Sequence, residues 1–217
     1  MYYKFILENN INFLLRKECS DQNVYEEIFD YNCYSFVSDY LNGIASPLIL
    51  DLGANIGLAS VYFSQFCTGG TYICVEPNQD NINTLIINLN SNHLNYKVVN
   101  KGIWHETTNM FLEKTSESWT ACLKNQNKGN NSQFVETTTI SNIIDEYRIN
   151  NIDLIKIDIE GSEYNLFFES KCLDFLYITK SIIIEIHDYK TFDIYLKLLR
   201  SYKFNVTVHS DVIFAYK

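Results

Sequence analysis

Two short runs carry charge where a buried strand should carry none. In Asp153-Leu154-Ile155-Lys156-Ile157-Asp158-Ile159-Glu160-Gly161, charged residues alternate with isoleucine, whereas a central parallel strand, covered on both faces, ordinarily reads as a continuous apolar run. With the two-residue period of a strand, Lys156, Asp158 and Glu160 point to one face and Ile155, Ile157 and Ile159 to the other. The run Ser181-Ile182-Ile183-Ile184-Glu185-Ile186-His187-Asp188 repeats the device, with Glu185 and His187 sharing a face at its carboxyl end. If the two strands are neighbours, Asp158, Glu160, Glu185 and His187 meet in one place. Histidine changes charge near neutral pH, and a flanking carboxylate orients its ring and raises its basicity, so His187 is the candidate general base. A structural reading stands beside this one. Lys156 then pairs with Asp158 inside the fold, Glu160 opens the following helix near the positive end of its dipole, and His187 is a packing residue, as His93, His105 and His209 are taken to be.

A third block, Leu48-Ile49-Leu50-Asp51-Leu52-Gly53-Ala54-Asn55-Ile56-Gly57, is an apolar run that breaks into a glycine turn and opens a helix. At the carboxyl edge of a parallel strand such a turn offers bare backbone and free N–H groups to a ligand. Glu76 ends the next apolar run, 25 residues after Asp51, and Pro77 stops that strand. A carboxylate there accepts two hydrogen bonds from a ribose diol. The spacing Gly53-x-x-x-Gly57 lacks the Gly-x-Gly-x-x-Gly order that brings backbone against a pyrophosphate, which argues against a nicotinamide-dependent oxidoreductase.

These side chains need a scaffold, and the chain supplies the pattern of one. Strands are predicted at 48–52, 71–76, 96–100, 152–159 and 181–187, with helical stretches between most of them, the alternation of a doubly wound parallel α/β sheet. Ile82, Leu85, Ile86 and Leu89 recur at i, i+3, i+4 and i+7, predicting a helix over 79–90 capped by Asn78, and Phe192, Tyr195, Leu196 and Leu199 predict another over 189–201. Residues 203–209 and 211–216 read as a closing antiparallel pair. Ahead of this core, residues 2–16 read as two strands around Glu8-Asn9-Asn10 and residues 21–42 as one helix ending at Gly43, together a cap over 1–43. Residues 109–136 read as a hairpin insertion with a mobile tip at Asn125–Ser132. No linker or repeat divides the 217 residues, so one domain is expected.

Composition narrows the partners. A net charge of −9 and no basic cluster oppose binding to nucleic acid. Cys19, Cys33, Cys67, Cys74, Cys122 and Cys172 are dispersed without a C-x-x-C pair and read as reduced thiols. No signal peptide or membrane-spanning run is recognisable, so a cytoplasmic protein without membrane insertion is expected. The oligomeric state is left open.

Taken together, Asp51-Leu-Gly-Ala-Asn-Ile-Gly57, Val75-Glu-Pro77, Lys156-Ile-Asp-Ile-Glu-Gly161 and Glu185-Ile-His187 resemble the FkbM family of S-adenosylmethionine-dependent methyltransferases in order and spacing. The resemblance runs from about residue 48 to 188, and its most specific block is Lys156–Gly161. It implies a class I methyltransferase fold, a Rossmann-like seven-stranded sheet with one antiparallel strand, and methyl transfer to a hydroxyl of a sugar, glycan or other small molecule. It places Asp51, Gly53, Asn55 and Gly57 around the methionine part of S-adenosylmethionine, Glu76 on its ribose, and Gly102 and Ile103 near its adenine. Thr139-Ile140-Ser141 departs from the family's usual Thr-Leu-Asp but keeps a helix cap.

The cofactor-binding set is therefore Asp51, Gly53, Asn55, Gly57, Glu76, Pro77, Gly102, Ile103 and Asp158. The catalytic set is His187, Asp158, Glu160, Lys156 and Glu185, and no metal ligand is assigned. His187 stands first as the base, with Asp158 and Glu160 as alternatives, while Lys156 orders Asp158. Trp104, Trp119, Phe111 and Tyr164 are candidates either for stacking on a sugar or for ordinary packing. Methylation of nitrogen, and a noncatalytic module that keeps the cofactor pocket, remain as alternatives.

Overall fold

The computed structural model describes residues 2–6, 11–114, 121–124, 132–170 and 172–217. The turn Glu8-Asn9-Asn10, Trp119 and the polar run 125–131 lie outside the described residues.

At the amino end β1 (Tyr2–Ile6) and β2 (Asn12–Arg16) pair antiparallel, as predicted. The single helix expected over 21–42 is instead broken. α1 (Asp21–Tyr25) runs into a π-turn at Glu26–Asp30, a 3-10 turn at Ser35–Val37, and α2 (Ser38–Leu41). The break follows from Asn32, whose φ of +54° is left-handed and cannot continue a right-handed helix. Gly43, with φ of +86°, closes the segment as expected.

The remaining elements are β3 (Leu48–Leu52), α3 (Leu58–Phe63), β4 (Thr71–Val75), α4 (Gln79–Ser91), β5 (Asn95–Val99), β6 (Gly102–Ile103), β7 (Asn109–Lys114), β8 (Ala121–Lys124) and β9 (Ser132–Thr138). They continue with α5 (Ile140–Tyr147), β10 (Ile152–Ile157), α6 (Glu163–Phe168), α7 (Phe175–Ile178), β11 (Thr179–Glu185), α8 (Phe192–Ser201), β12 (Asn205–His209) and β13 (Val212–Tyr216). Asn78 caps α4 by accepting from the Asp80 N–H, and Thr139 caps α5 by accepting from Asn142.

Seven strands form the main sheet in the order β12-β13-β11-β10-β3-β4-β5, with β13 antiparallel to both neighbours and the rest parallel. This is the doubly wound sheet with one antiparallel strand that the resemblance implies. Alternate residues feed two cores. Leu50, Leu52, Ile155, Ile157, Ile182 and Ile184 pack with α5, α6, α7 and α8 on one face, while Ile49, Leu154, Ile183 and Cys74 pack with α3, α4 and the cap on the other. Residues 109–138 are more than the expected hairpin: β6, β9, β7 and β8 form a second, four-stranded sheet. Gly102 and Ile103 join it by pairing parallel with Thr137 and Thr138. Cys19, Cys33, Cys67, Cys74 and Cys172 are free thiols. No described helix is long and apolar enough to cross a membrane.

The order of winding reverses between β3 and β10, and the crevice of such a sheet opens there, at the carboxyl ends of the strands. β10 stops at Ile157 and β11 at Glu185, so Asp158 and His187 stand on loops rather than inside the longer strands the sequence suggested, and Glu160 follows on the loop of Asp158. The loop after β10 is pressed onto the turn after β3. Asp158 N donates to Leu52 O at 3.1 Å, and Gly53 N and Ala54 N both donate to Val75 O. Gly53 has φ of +78°, and a Cβ built there would lie 1.8 Å from the Asp158 carbonyl oxygen. Only glycine lets the two turns meet. Replacing Gly53 by alanine is expected to destabilise the fold by at least about 2 kcal/mol, roughly 4–8 °C in Tm, and an unchanged melting curve would refute this close approach.

Candidate active site

Lys156 lies directly across from Asp51 in the register of β10 and β3. Its ammonium donates to the Gly53 carbonyl at 2.9 Å and sits 3.3 Å from Asp51 Oδ1 and 3.2 Å from Asp158 Oδ2, with the side chain 4% exposed. Burial alone would strip its proton, but Asp158, Asp51 and Glu185 outweigh that and hold its pKa above the usual lysine range. Asp51 is fully buried and accepts from Ser60 Oγ at 2.7 Å through Oδ2. Its Oδ1 makes no hydrogen bond and depends on the lysine charge. The pairing within the fold and the convergence on a site, weighed as rivals from sequence, therefore both occur: Lys156 is an internal tie whose third partner faces the crevice.

His187 is held from behind. Its Nδ1 is 3.0 Å from Oε1 of Glu163, a buried carboxylate at the start of α6 that also accepts the N–H groups of Ile159 and Gly161. Those bonds shape the loop in which Glu160 (φ +55°) and Gly161 (φ +88°) both turn left-handed. The ring's Nε2 points the other way, 3.4 Å from Glu160, 3.7 Å from Glu185 and 3.9 Å from Asp158. Glu163 was not singled out from sequence, where an acid in the first turn of a helix reads as a dipole partner. Its position three residues after Glu160 was the available signal.

So many carboxylates around one ring shift its protons. Burial and Asp158 push Glu160 up to about 7; Asp158, then burial and Glu27, push Glu185 up to about 9. Burial works against a charged His187, but the bond and charge of Glu163, with Asp158 and Glu185, raise it to about 9. Asp158, Glu185 and His187 also bring one donor atom each within 4.8 Å of one another, a spacing a divalent cation accepts. Asp158 already holds Lys156 through Oδ2, and that ammonium disfavours a second cation beside it.

Two hollows meet at this point. A narrow cleft is lined by Gly53, Asn55, Glu76, Pro77, Gly102 and Ile103 and is closed by Leu112 and Leu123 of the second sheet. Glu76 is 6% exposed and accepts from Asn55 N, Asn78 N and Asn81 Nδ2. Burial raises its pKa, and these three bonds pull in the other direction. The second hollow, about 340 Å³, lies between Lys156, Asp158, Glu160, Glu185 and His187 on the sheet side and Asn23, Glu27 and Tyr34 on the cap. Gly53, Asn55, Asp158 and Glu160 line both. Of the residues predicted for the site, Asp51 and Gly57 line neither. Asp51 lies beneath under Lys156. Gly57 begins α3 with φ of +82°, where a Cβ would sit 3.2 Å from Leu85 and 3.3 Å from Leu89, so it serves helix packing. Trp104, Phe111 and Tyr164 also line neither hollow, and Phe111 packs on Phe134.

The Methyltransferase FkbM domain family matches residues 51–206, the stretch that holds every one of these strand tips. The chain belongs to the FkbM methyltransferase family. No curated protein sequence matches it. Among solved structures, a precorrin-6y C5,15-methyltransferase from Geobacter metallireducens superposes with a TM-score of 0.51 at 13% identity, over 84% of this chain and 86% of that one. The METTL16 MTase domain superposes with a TM-score of 0.53 at 12% identity, over 98% and 84% of the two chains. At such identities these likenesses establish the shared fold. The family match reaches one helix past the His187 motif and leaves out the cap, so the wall formed by Asn23, Glu27 and Tyr34 lies outside the matched region.

Removing the Lys156 charge tests whether the site is tied together as described. Lys156→Met leaves Asp51 buried and unpaired and is expected to lower stability by about 3–5 kcal/mol, measured by denaturant unfolding. Asp51→Asn in the same chain should recover part of the loss; an additive or worse double variant would contradict the pairing.

Proposed function

We propose that this FkbM methyltransferase transfers a methyl group from S-adenosylmethionine to a hydroxyl of a sugar, glycan or other small molecule. The observation that carries this reading is the shared wall: the cleft and the acidic hollow join at Gly53, Asn55, Asp158 and Glu160. When bound, S-adenosylmethionine supplies an electrophilic methyl group on a positively charged sulfur. The residues fit it. A carboxylate presents roughly four acceptor positions, and Glu76 uses three, leaving room for a ribose hydroxyl. Gly102, Ile103, Leu112 and Leu123 offer an apolar slot for adenine, and the backbone from Gly53 to Asn55 faces the methionine end.

Asp158 and Glu160 place negative charge beside the sulfur. Both hollows open on them, so an acceptor in the larger one is held against the methyl group in the cleft. His187 Nε2 takes the hydroxyl proton as the oxygen–carbon bond forms and the carbon–sulfur bond breaks. Glu163 keeps the other ring nitrogen turned away from the acceptor. Lys156 acts through Asp158 and touches no substrate. The chemistry runs without a divalent cation.

A histidine held near 9 is protonated at neutral pH and must lose that proton to serve as a base, so turnover rises with pH toward about 9. With a labelled donor and a panel of sugars, His187→Ala should flatten that rise and lower kcat by about 10²–10⁴-fold while leaving S-adenosylhomocysteine affinity unchanged. Glu76→Ala should do the reverse, weakening that affinity by about tenfold or more. Equal effects of both variants on both quantities, or activity lost to EDTA and restored by magnesium, would overturn the assignment.

A further inference from the structure

The hollow beside the donor cleft has a charge and an unmet hydrogen-bonding group that together describe its ligand. Four carboxylates line it: Glu27, Asp158, Glu160 and Glu185. Its two cations each already face carboxylates, His187 Nε2 lying 3.4 Å from Glu160 and 3.7 Å from Glu185. Lys156 spends its ammonium on Gly53 O, Asp51 and Asp158, and His187 is tied through Nδ1 to Glu163. An entering phosphate or carboxylate therefore meets more acids than cations, and each cation already faces carboxylates, whereas an entering ammonium favours the ionised form of Glu185, which Asp158, burial and Glu27 otherwise hold protonated.

Tyr34 adds an independent sign. It lies in the cap, is 3% exposed, and lines the hollow, yet its phenol oxygen has no hydrogen-bond partner among the described residues. Its proton is held tightly, by burial first and then by the charges of Glu185 and Asp158, which puts the hydroxyl among the acids. A tyrosine buried to this extent whose hydroxyl has no partner among the described residues, at the wall of a ligand-sized space, can bond a ligand atom there. Glu27 faces the same space from the π-turn of the cap, at the exposed rim.

We propose that this hollow is an acceptor subsite for an aminated polyol, with the ammonium held by Glu27 and Glu185, a hydroxyl on Tyr34, and anionic acceptors such as sugar phosphates excluded. The proposal rests on the methyl-transfer reading above and names the class of acceptor. The π-turn and the left-handed Asn32 then have a purpose: they break the cap helix so that Glu27 and Tyr34 both reach the site.

The test is binding, with defined probes. Protein saturated with S-adenosylhomocysteine is titrated calorimetrically at pH 7 with glucosamine, glucose and glucose 6-phosphate. Glucosamine should bind at least tenfold more tightly than glucose, glucose 6-phosphate should give no heat, and the preference should weaken with added salt. Glu27→Gln, a change at an exposed position, should reduce the amine preference severalfold, and Tyr34→Phe should weaken both neutral and amino sugars. Equal affinity for amine and alcohol, binding of the phosphate, or no binding of glucosamine would overturn the proposal. So would glucosamine binding that disappears when S-adenosylhomocysteine is added, since the hollow would then belong to the donor's own amino end. Failure of S-adenosylhomocysteine to bind counts against the methyl-transfer reading, and the amine preference is then read on the unliganded protein.

Discussion

One buried ammonium holds the site together. Lys156 reaches from the middle of the sheet to the Gly53 carbonyl and to two carboxylates, and each contact binds a different part of the crevice: the β3 turn, the floor beneath it, and the loop after β10. Burying a lysine is unfavourable by itself, and the arrangement persists because Asp51 and Asp158 are close enough to keep it charged. The same ion leaves Asp158 with one oxygen turned toward His187, so the tie that shapes the fold also sets the charge of the pocket.

From that anchor the other features follow in order. Gly53 admits the Asp158 backbone, which brings the β10 loop beside the β3 turn. The loop then turns left-handed twice and is pinned by Glu163, which also holds His187. Acids accumulate around one ring until their protons are shared, with Glu160 near 7 and Glu185 and His187 near 9. An acidic notch of this kind suits a positively charged donor on one side and, through the cap, a positively charged acceptor on the other.

The strand tips were legible because β3, β4, β10 and β11 are apolar runs that end in polar residues, and any charge inside them stands out. The seven-stranded sheet and its antiparallel strand followed from the resemblance those tips carry. Four things were less visible. Glu163 sits at a helix start, where an acid has an ordinary explanation. Asp51 and Gly57 occupy motif positions, yet one lies under Lys156 and the other packs on Leu85 and Leu89, and only neighbours distant in sequence reveal this. The cap looked like one helix because Val24, Ile28 and Val37 keep apolar spacing on both sides of a break made by a single left-handed asparagine. The second sheet was hidden because Gly102–Ile103 contributes only two residues to it.

The central claim is that a lysine-anchored acidic wall faces the positive sulfur of the donor. Calorimetric titration of S-adenosylmethionine and its neutral product S-adenosylhomocysteine, into the native chain and Asp158→Asn, tests it most directly. The two ligands differ by one methyl group and one charge. Loss of the Asp158 charge should weaken S-adenosylmethionine about tenfold more than S-adenosylhomocysteine, a selective loss of about 1.4 kcal/mol. Equal weakening of both, or none, would contradict the account.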